Sequence, residues 1–200
     1  MPSFSQRLGV TRYAADDAYR RALDAFARRE FDQAHDLLGE AIEALPTGSE
    51  YYAARGLLHL EEAEYPEAQA DFEAALHHFP HEMLAHFGLG VIAFRKDKDY
   101  ARAVSHLQSA YYIQPDRAET LFWLALSYYQ LGDLVNAANF LAQADSRFEQ
   151  TGDKRRAETQ RWIKELSRHA ARPAAQPAAP SPALPPTPQA KLPLPDDKDD

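Results

Sequence analysis

Histidines are the residues of this chain whose type suits metal binding or acid–base chemistry. His77, His78, His81 and His86 lie close together, but Pro80 separates the first two from the others. The segment from His81 to His86 has the residue types of a zinc-protease box. Its two histidines are five residues apart, whereas two ligands on one helical face need a spacing of four. We therefore expect these histidines to lie at surfaces or between helices, and we expect no metal site.

Other signatures of catalysis or cofactor binding are missing from the sequence. The absence of cysteine from all 200 residues excludes thiolate catalysis, disulfides and cysteine-type zinc sites. No serine–histidine–aspartate order, phosphate loop or GxGxxG fingerprint occurs. We interpret Gly88-Leu-Gly90 as a pair of glycines that allows close helix packing. The expectation is a protein that is not an enzyme and has no cofactor.

Composition and charge narrow the class of partner. Hydrophobic residues make up 45% of the chain and charged residues 26%, which is typical of a globular domain. The net charge of -8 disfavours nucleic acid and anionic lipid as partners, because both call for a basic surface. The N-terminus lacks an apolar stretch of signal-peptide length, and the apolar run 121–129 is too short to span a bilayer. We expect a cytoplasmic protein without membrane insertion.

Regularly spaced alanines reveal an internal repeat, which positions everything else in the chain. They are Ala34, Ala68, Ala103 and Ala137, at steps of 34, 35 and 34 residues. Four residues after each alanine comes a large apolar residue: Leu38, Phe72, Leu107 and Leu141. Three residues further on comes another alanine: Ala41, Ala75, Ala110 and Ala144. Small residues precede each block: Ala22, Gly56, Gly90 and Ala125. Positions that recur in phase through four units predict stacked structural repeats.

This pattern resembles the tetratricopeptide repeat over roughly residues 13–149. The resemblance implies an all-α fold, a right-handed α-solenoid of antiparallel helix pairs. It also implies that Gly56 on the first helix of a unit packs against Ala68 on the second, where a larger side chain would overpack the contact. Pro66 suits the first turn of a second helix, whereas Pro80 and Pro115 suit helix ends.

The repeat spacing predicts the domain organisation. We predict an N-terminal arm (1–12), a repeat domain (13–170) and a Pro/Ala-rich disordered tail (171–200). The units are residues 15–48, 49–82, 83–117 and 118–151, and a capping helix follows over 153–170. The step of 35 predicts one extra residue in the turn Lys96–Asp99 of the third unit.

In the family that this chain resembles, the first helix of each unit lines a concave groove in which ligands usually bind. Transferred to this sequence, that geometry predicts a groove of apolar and aromatic side chains. The predicted groove residues are Tyr19, Leu23, Phe26, Ala53, Leu57, Leu60, Phe87, Val91, Phe94, Phe122, Leu126 and Tyr129. Members of the family that grip the acidic C-termini of heat-shock chaperones carry basic residues and asparagines at groove positions. The matching positions here are Tyr19, Leu23, Ala54, Leu84 and Gly88, so we expect no carboxylate clamp.

The first functional hypothesis is a scaffold or assembly factor that binds an apolar or amphipathic segment of another protein in the groove. The arm, the tail or a second copy of the chain could fill the same groove. A second hypothesis is a structural subunit of a larger, membrane-associated complex that docks through its convex face or its Pro-rich tail. An enzyme or metal protein built on the junction histidines and a helical-repeat RNA binder are weaker alternatives.

Overall fold

The computed structural model describes residues 4–170, with side chains described for residues 11–169. Within this range the chain forms helices and turns, with no strand. The helices are α1 (Phe4–Ala27), α2 (Phe31–Ala44), α3 (Ser49–Glu61), α4 (Tyr65–His78), α5 (Met83–Ile92), α6 (Tyr100–Ile113), α7 (Ala118–Gln130), α8 (Leu134–Thr151) and α9 (Arg156–Ala170). Helices α1 to α8 pack as four consecutive pairs, and α9 packs against α8. The predicted all-α solenoid of helix pairs is confirmed.

The ends of the described chain differ in part from the expected boundaries. Helix α1 begins at Phe4, so residues 4–12 belong to the first helix, where we predicted a separate arm. The reason is local, since no proline interrupts these residues. At the other end, α9 begins at Arg156, after a turn in which the Asp153 carboxylate accepts a hydrogen bond from the backbone N–H of Arg155 at 2.8 Å. Residues 1–3 and the predicted tail of residues 171–200 lie outside the described residues.

Small residues set the distance between paired helices. A Cβ placed on Gly56 would lie 3.2 Å from the backbone oxygen of Ala68 and 2.8 Å from the Phe72 ring. A Cβ placed on Gly90 would lie 3.3 Å from the backbone oxygen of Ala103. Both alanines are fully buried. The geometry confirms that these glycines permit close helix packing, because any side chain there would have to displace backbone or buried core atoms.

The turn inside each pair uses the same backbone conformation in all four units. Its left-handed residues are Arg29, Ala63, Lys98 and Gly132, with φ of 62°, 62°, 57° and 79°. Three of the four carry a side chain in a conformation that glycine adopts most easily. Because these residues recur at the same distance before the repeat alanines, the turn itself has a constant length.

The extra residue of the third unit lies in a helix instead of the turn. After α5 the helix continues as a single π-helical stretch, Ala93–Asp97. The spacing from Gly90 to the left-handed Lys98 is therefore one residue longer than the spacing from Gly56 to Ala63. Our prediction that the turn Lys96–Asp99 holds the insertion was wrong, because a π turn absorbs one residue without breaking the helix.

Candidate functional site

The first helices of the four units meet the C-terminal helix around a pocket of about 520 Å³. We call this pocket the first-helix groove. Its apolar lining consists of Phe26, Leu57, Phe87, Phe94, Phe122, Trp123, Leu126, Phe148 and Trp162. These side chains come from α1, α3, α5 with its π turn, α7, α8 and α9. The groove therefore depends on the stacking of all the units, since no single helix pair contributes more than a fraction of its wall.

Six of the predicted groove residues line this pocket, but they are not equally accessible. They are Phe26, Leu57, Phe87, Phe94, Phe122 and Leu126. Phe87 and Phe122 are only 6% and 8% exposed and also belong to the hydrophobic core. Phe94 and Leu57 are half-buried and present more of their surface to the pocket. A ligand would thus contact both partly exposed side chains and the outer edge of the core.

The other six predicted groove residues do not line this pocket, and Tyr129 packs instead on Trp162 of α9. Leu60 and Val91 are 4% and 2% exposed and pack in the core, together with the fully buried Ala53. Tyr19 and Leu23 line a separate cavity of about 50 Å³ at the α1 end. For the core residues the reason is the rotation of each first helix, which turns part of the predicted face toward its neighbours.

Aromatic rings connect the units along the groove. The Phe94 ring centroid lies 5.2 Å from that of Trp123, edge to face, and the Phe122 ring lies 6.0 Å from the same indole. At the C-terminal end, Tyr129 packs edge to face on Trp162 of α9 at 5.4 Å. Edge-to-face pairs at these distances stabilise their arrangement beyond the area that they bury. The aromatic wall is therefore largely preformed.

Two arginines bring positive charge to this aromatic wall. The Arg117 guanidinium lies 4.8 Å from the Phe87 ring centroid, and that of Arg95 lies 4.9 Å from the Trp123 ring centroid. Burial lowers the pKa of Arg117 from its usual value, although Glu119 opposes this shift. The Nε atom of Arg117 is buried, lies 3.5 Å from a Glu119 oxygen and makes no hydrogen bond within the described chain. Arg117 therefore pairs with Glu119 by charge alone, beside an apolar wall.

An ion-pair network holds the start of α9 against α7. Arg155 contacts Glu119 at 2.8 Å and Asp153 at 2.6 Å. Hydrogen bonds from the Arg155 side chain and backbone lower the pKa of Asp153 to about 2. The Arg155 guanidinium also lies 5.0 Å from the Phe148 ring centroid. These contacts fix the segment that closes one end of the first-helix groove.

The junction histidines do not converge on a common point. His77, His78 and His81 are exposed, and His78 stacks on Tyr52 with ring centroids 5.3 Å apart. His86 is half-buried, with its Nε2 atom 3.0 Å from the backbone oxygen of Pro80. These positions are at surfaces or between helices, and their side chains serve local packing.

A second apolar cleft lies between α8 and α9, away from the first-helix groove. Its volume is about 480 Å³, and Leu134, Val135, Leu141, Ile163 and Leu166 are among its lining residues. Of these, Val135 is largely exposed. The apolar residues of α9 therefore divide between the two pockets, with Trp162 lining the groove and Ile163 and Leu166 lining the cleft.

Sequence reasoning missed several residues of the first-helix groove. Trp123 directly follows the predicted Phe122, and Arg117 occupies the N-cap position of α7. Arg95 lies in the π turn, and Phe148 lies in the last turns of α8. A rule that takes one face of each first helix omits all four positions. The adjacent aromatic residues 122 and 123 were the available signal, since two in succession widen the aromatic surface of α7 beyond one row at spacings of three and four.

Comparisons with known proteins identify the repeat. Family models described as tetratricopeptide repeat match residues 53–118 and 94–157, which together span more than half of the chain. A curated relative, Protein SGT1 homolog of Oryza sativa subsp. japonica, is 34% identical over 98 residues. That match covers 49% of this chain and 26% of the relative, so the chain spans about a quarter of that protein's length.

Solved structures with the same fold have low sequence identity to this chain. A chain of the APC/C hetero-tetramer Cut9–Hcn1 has a TM-score of 0.70 at 20% identity, over 78% of this chain and 30% of that chain. The pilF protein of Pseudomonas aeruginosa has a TM-score of 0.61 at 18% identity, over 80% of this chain and 77% of that chain. The first repeat domain of Spaghetti (RPAP3), bound to the HSP90 peptide SRMEEVD, has a TM-score of 0.55 at 16% identity, over 60% of this chain and 95% of that chain.

Proposed function

Because the chain belongs to the tetratricopeptide-repeat family, we propose that it is a non-catalytic scaffold that holds an apolar or amphipathic segment of another protein in the first-helix groove. Repeats of this kind indicate a protein–protein interaction scaffold. The observation that supports a groove ligand is the pocket of about 520 Å³ with its aromatic wall. A pocket of this size can accept several side chains of one peptide.

The chemistry of the groove favours an amphipathic ligand over a purely apolar one. Phe94, Trp123 and Trp162 are half-buried, so a ligand would remove further aromatic surface from water. The lining also includes three arginines and three glutamates, which would meet the polar face of an amphipathic ligand. Burial of two or three aromatic anchors supplies most of the affinity in interfaces of this kind.

The groove contains its own optical probe. The two tryptophans of the chain, Trp123 and Trp162, both line it. Peptides selected on the full-length protein from a random display library are expected to shift tryptophan emission on binding. A peptide that binds without changing that emission occupies another surface and counts against the proposal.

A matched pair of aromatic substitutions tests the location of binding. Phe94→Ala removes a half-buried ring of the groove and is expected to weaken the binding of a selected peptide by about 1–3 kcal/mol, roughly 5- to 150-fold in affinity. Tyr112→Ala removes a ring that is 80% exposed on α6 and is expected to leave the affinity unchanged. Thermal melts of both variants control for loss of folding. Equal affinity of Phe94→Ala and the unmodified protein would refute the groove as the binding site.

The cleft between α8 and α9 supports the second candidate function, a structural subunit that docks through an outer surface. Val135, at 72% exposure, is the most exposed large apolar residue of this cleft, and Val135→Lys would place a charge in it. If the Val135→Lys variant no longer associates with its native assembly whereas the Phe94→Ala variant still does, the docking surface is the outer cleft. If only the Phe94→Ala variant no longer associates with the assembly, the groove is the docking surface.

A further inference from the structure

Four metal-ligand side chains converge between the first two units, on residues without recognisable metal-site spacing in the sequence. His35 lies on α2, His59 on α3, and Glu62 and Glu64 flank the turn from α3 to α4. One ligand atom of each residue lies within 4.8 Å of the ligand atoms of the other three. The His35 Nε2 atom is 2.7 Å from a Glu62 oxygen, and the His59 Nδ1 atom is 2.7 Å from a Glu64 oxygen.

A second carboxylate, besides that of Glu64, orients the His59 ring. Its Nε2 atom lies 3.7 Å from an oxygen of Asp71, a buried carboxylate. Arg55 holds Asp71 in place through two hydrogen bonds of 2.8 and 2.7 Å. Metal-binding histidines usually direct their second ring nitrogen at such a carboxylate, which fixes the ring and raises its basicity. The Nδ1 atom of His59 is thereby left facing the cluster.

We propose that His35, His59, Glu62 and Glu64 form a binding site for a divalent transition-metal ion, with Zn²⁺ as the reference ion. Two imidazole nitrogens and two carboxylate oxygens are ligands that zinc accepts in tetrahedral sites. The two carboxylates would balance the charge of the ion. All four side chains are partly exposed, so the ion can enter from solvent.

The geometry requires only small movements. Tetrahedral coordination at the usual zinc bond lengths places ligand atoms about 3.3 Å apart. The two histidine–glutamate pairs at 2.7 Å would open slightly, and the longer separations, none above 4.8 Å, would shorten. The ion would cross-link α2 of the first unit to the α3–α4 turn of the second. It would therefore strengthen the junction between these units, independently of the first-helix groove.

Calorimetric titration with ZnCl₂ tests the site in the full-length chain, prepared with a chelator, dialysed and free of a polyhistidine tag. We expect one zinc per chain, and a melting temperature that rises with zinc because the ion binds the folded state. His35→Ala and His59→Ala should each weaken zinc binding at least 10-fold and remove the thermal shift. Glu62→Gln and Glu64→Gln, which preserve side-chain shape, should also weaken binding.

His77→Ala is the matched control, since this histidine is exposed and lies outside the cluster. It should bind zinc as the unmodified protein does. MgCl₂ should give no comparable binding, because magnesium prefers an octahedral shell of oxygens. The proposal is overturned if zinc does not bind stoichiometrically, or if His35→Ala and His59→Ala both retain full affinity. The four residues would then form only histidine–glutamate hydrogen bonds.

Discussion

The glycine at position 88 determines how closely the second and third units can stack. A Cβ placed on Gly88 of α5 would lie 2.1 Å from two ring carbons of Phe72, which belongs to α4. The ring is fully buried, and another edge of it faces Gly56 of α3, where a Cβ would lie 2.8 Å away. Phe72 is therefore wedged between two glycines and has little space in which to move.

The cost of Gly88→Ala follows from this geometry. The ring would have to recede by about 1.3 Å for the new methyl group to reach an ordinary contact of 3.4 Å. Overpacking of a dense core costs about 1–3 kcal/mol, whereas alanine gains about 1 kcal/mol over glycine inside a helix. Because the clash is severe, we expect a net loss of about 1–2 kcal/mol in the free energy of unfolding.

Gly39→Ala provides the matched control. Gly39 lies inside α2, and a Cβ placed there would meet no atom within 4 Å. The same substitution should therefore stabilise the protein by about 1 kcal/mol through helix propensity alone. The two variants thus differ in the sign of their effect, although the chemical change is identical.

Urea denaturation of the full-length protein, followed by circular dichroism, measures both effects. The double variant Phe72→Leu/Gly88→Ala should lose less free energy of unfolding than the sum of the losses in the two single variants, because the smaller side chain relieves the clash. If Gly88→Ala stabilises the protein as Gly39→Ala does, the glycine contact does not set the spacing of the units and the packing argument is refuted.

Two ion pairs lead to further predictions about stability. Asp71→Asn leaves Arg55 without its buried bidentate partner, so we expect the free energy of unfolding to fall by about 1–3 kcal/mol. Urea denaturation with a chelator present measures this change, and an unchanged unfolding midpoint would contradict the prediction. The pKa of Asp153 is about 2 in the folded chain, where Arg155 contacts it, against an ordinary value of 3.8. Its stabilising contribution is therefore complete above pH 3.8 and lost as the pH falls through 2. Asp153→Asn should therefore have a lower melting temperature than the unmodified protein at neutral pH and the same melting temperature near pH 2. A difference in melting temperature that stays constant with pH would show that the Asp153–Arg155 pair is not its cause.

The sequence predicted the contacts inside a repeat well and those between repeats less well. The packing of Gly56 on Ala68 could be predicted because the two residues belong to one helix pair with a short turn. The location of the extra residue in the third unit could not. A spacing of 35 is compatible with a longer turn or a π-helical turn, and the structure has the π turn Ala93–Asp97.

The side chains of the groove were likewise predicted only in part. Phe94 and Leu57 were predicted as groove residues and line the pocket, whereas Leu60 and Val91 were predicted and lie in the core. Periodicity of 3.6 residues assigns side chains to a face about 100° wide, and the boundary between core and pocket falls within that width. Only the rotation of each helix against its neighbours decides on which side a residue lies.

The sequence by itself determined four helix pairs, a C-terminal helix and an apolar first-helix face, because the repeat rests on residue types that recur in phase through four units. The tertiary structure alone decided which side chains from different units meet. It placed Trp162 of α9 and Arg117 in one pocket, and His35 beside His59 at a junction between units. The physical reason is that a solenoid's superhelical rotation accumulates from many small packing adjustments, each too small to be encoded in residue spacing.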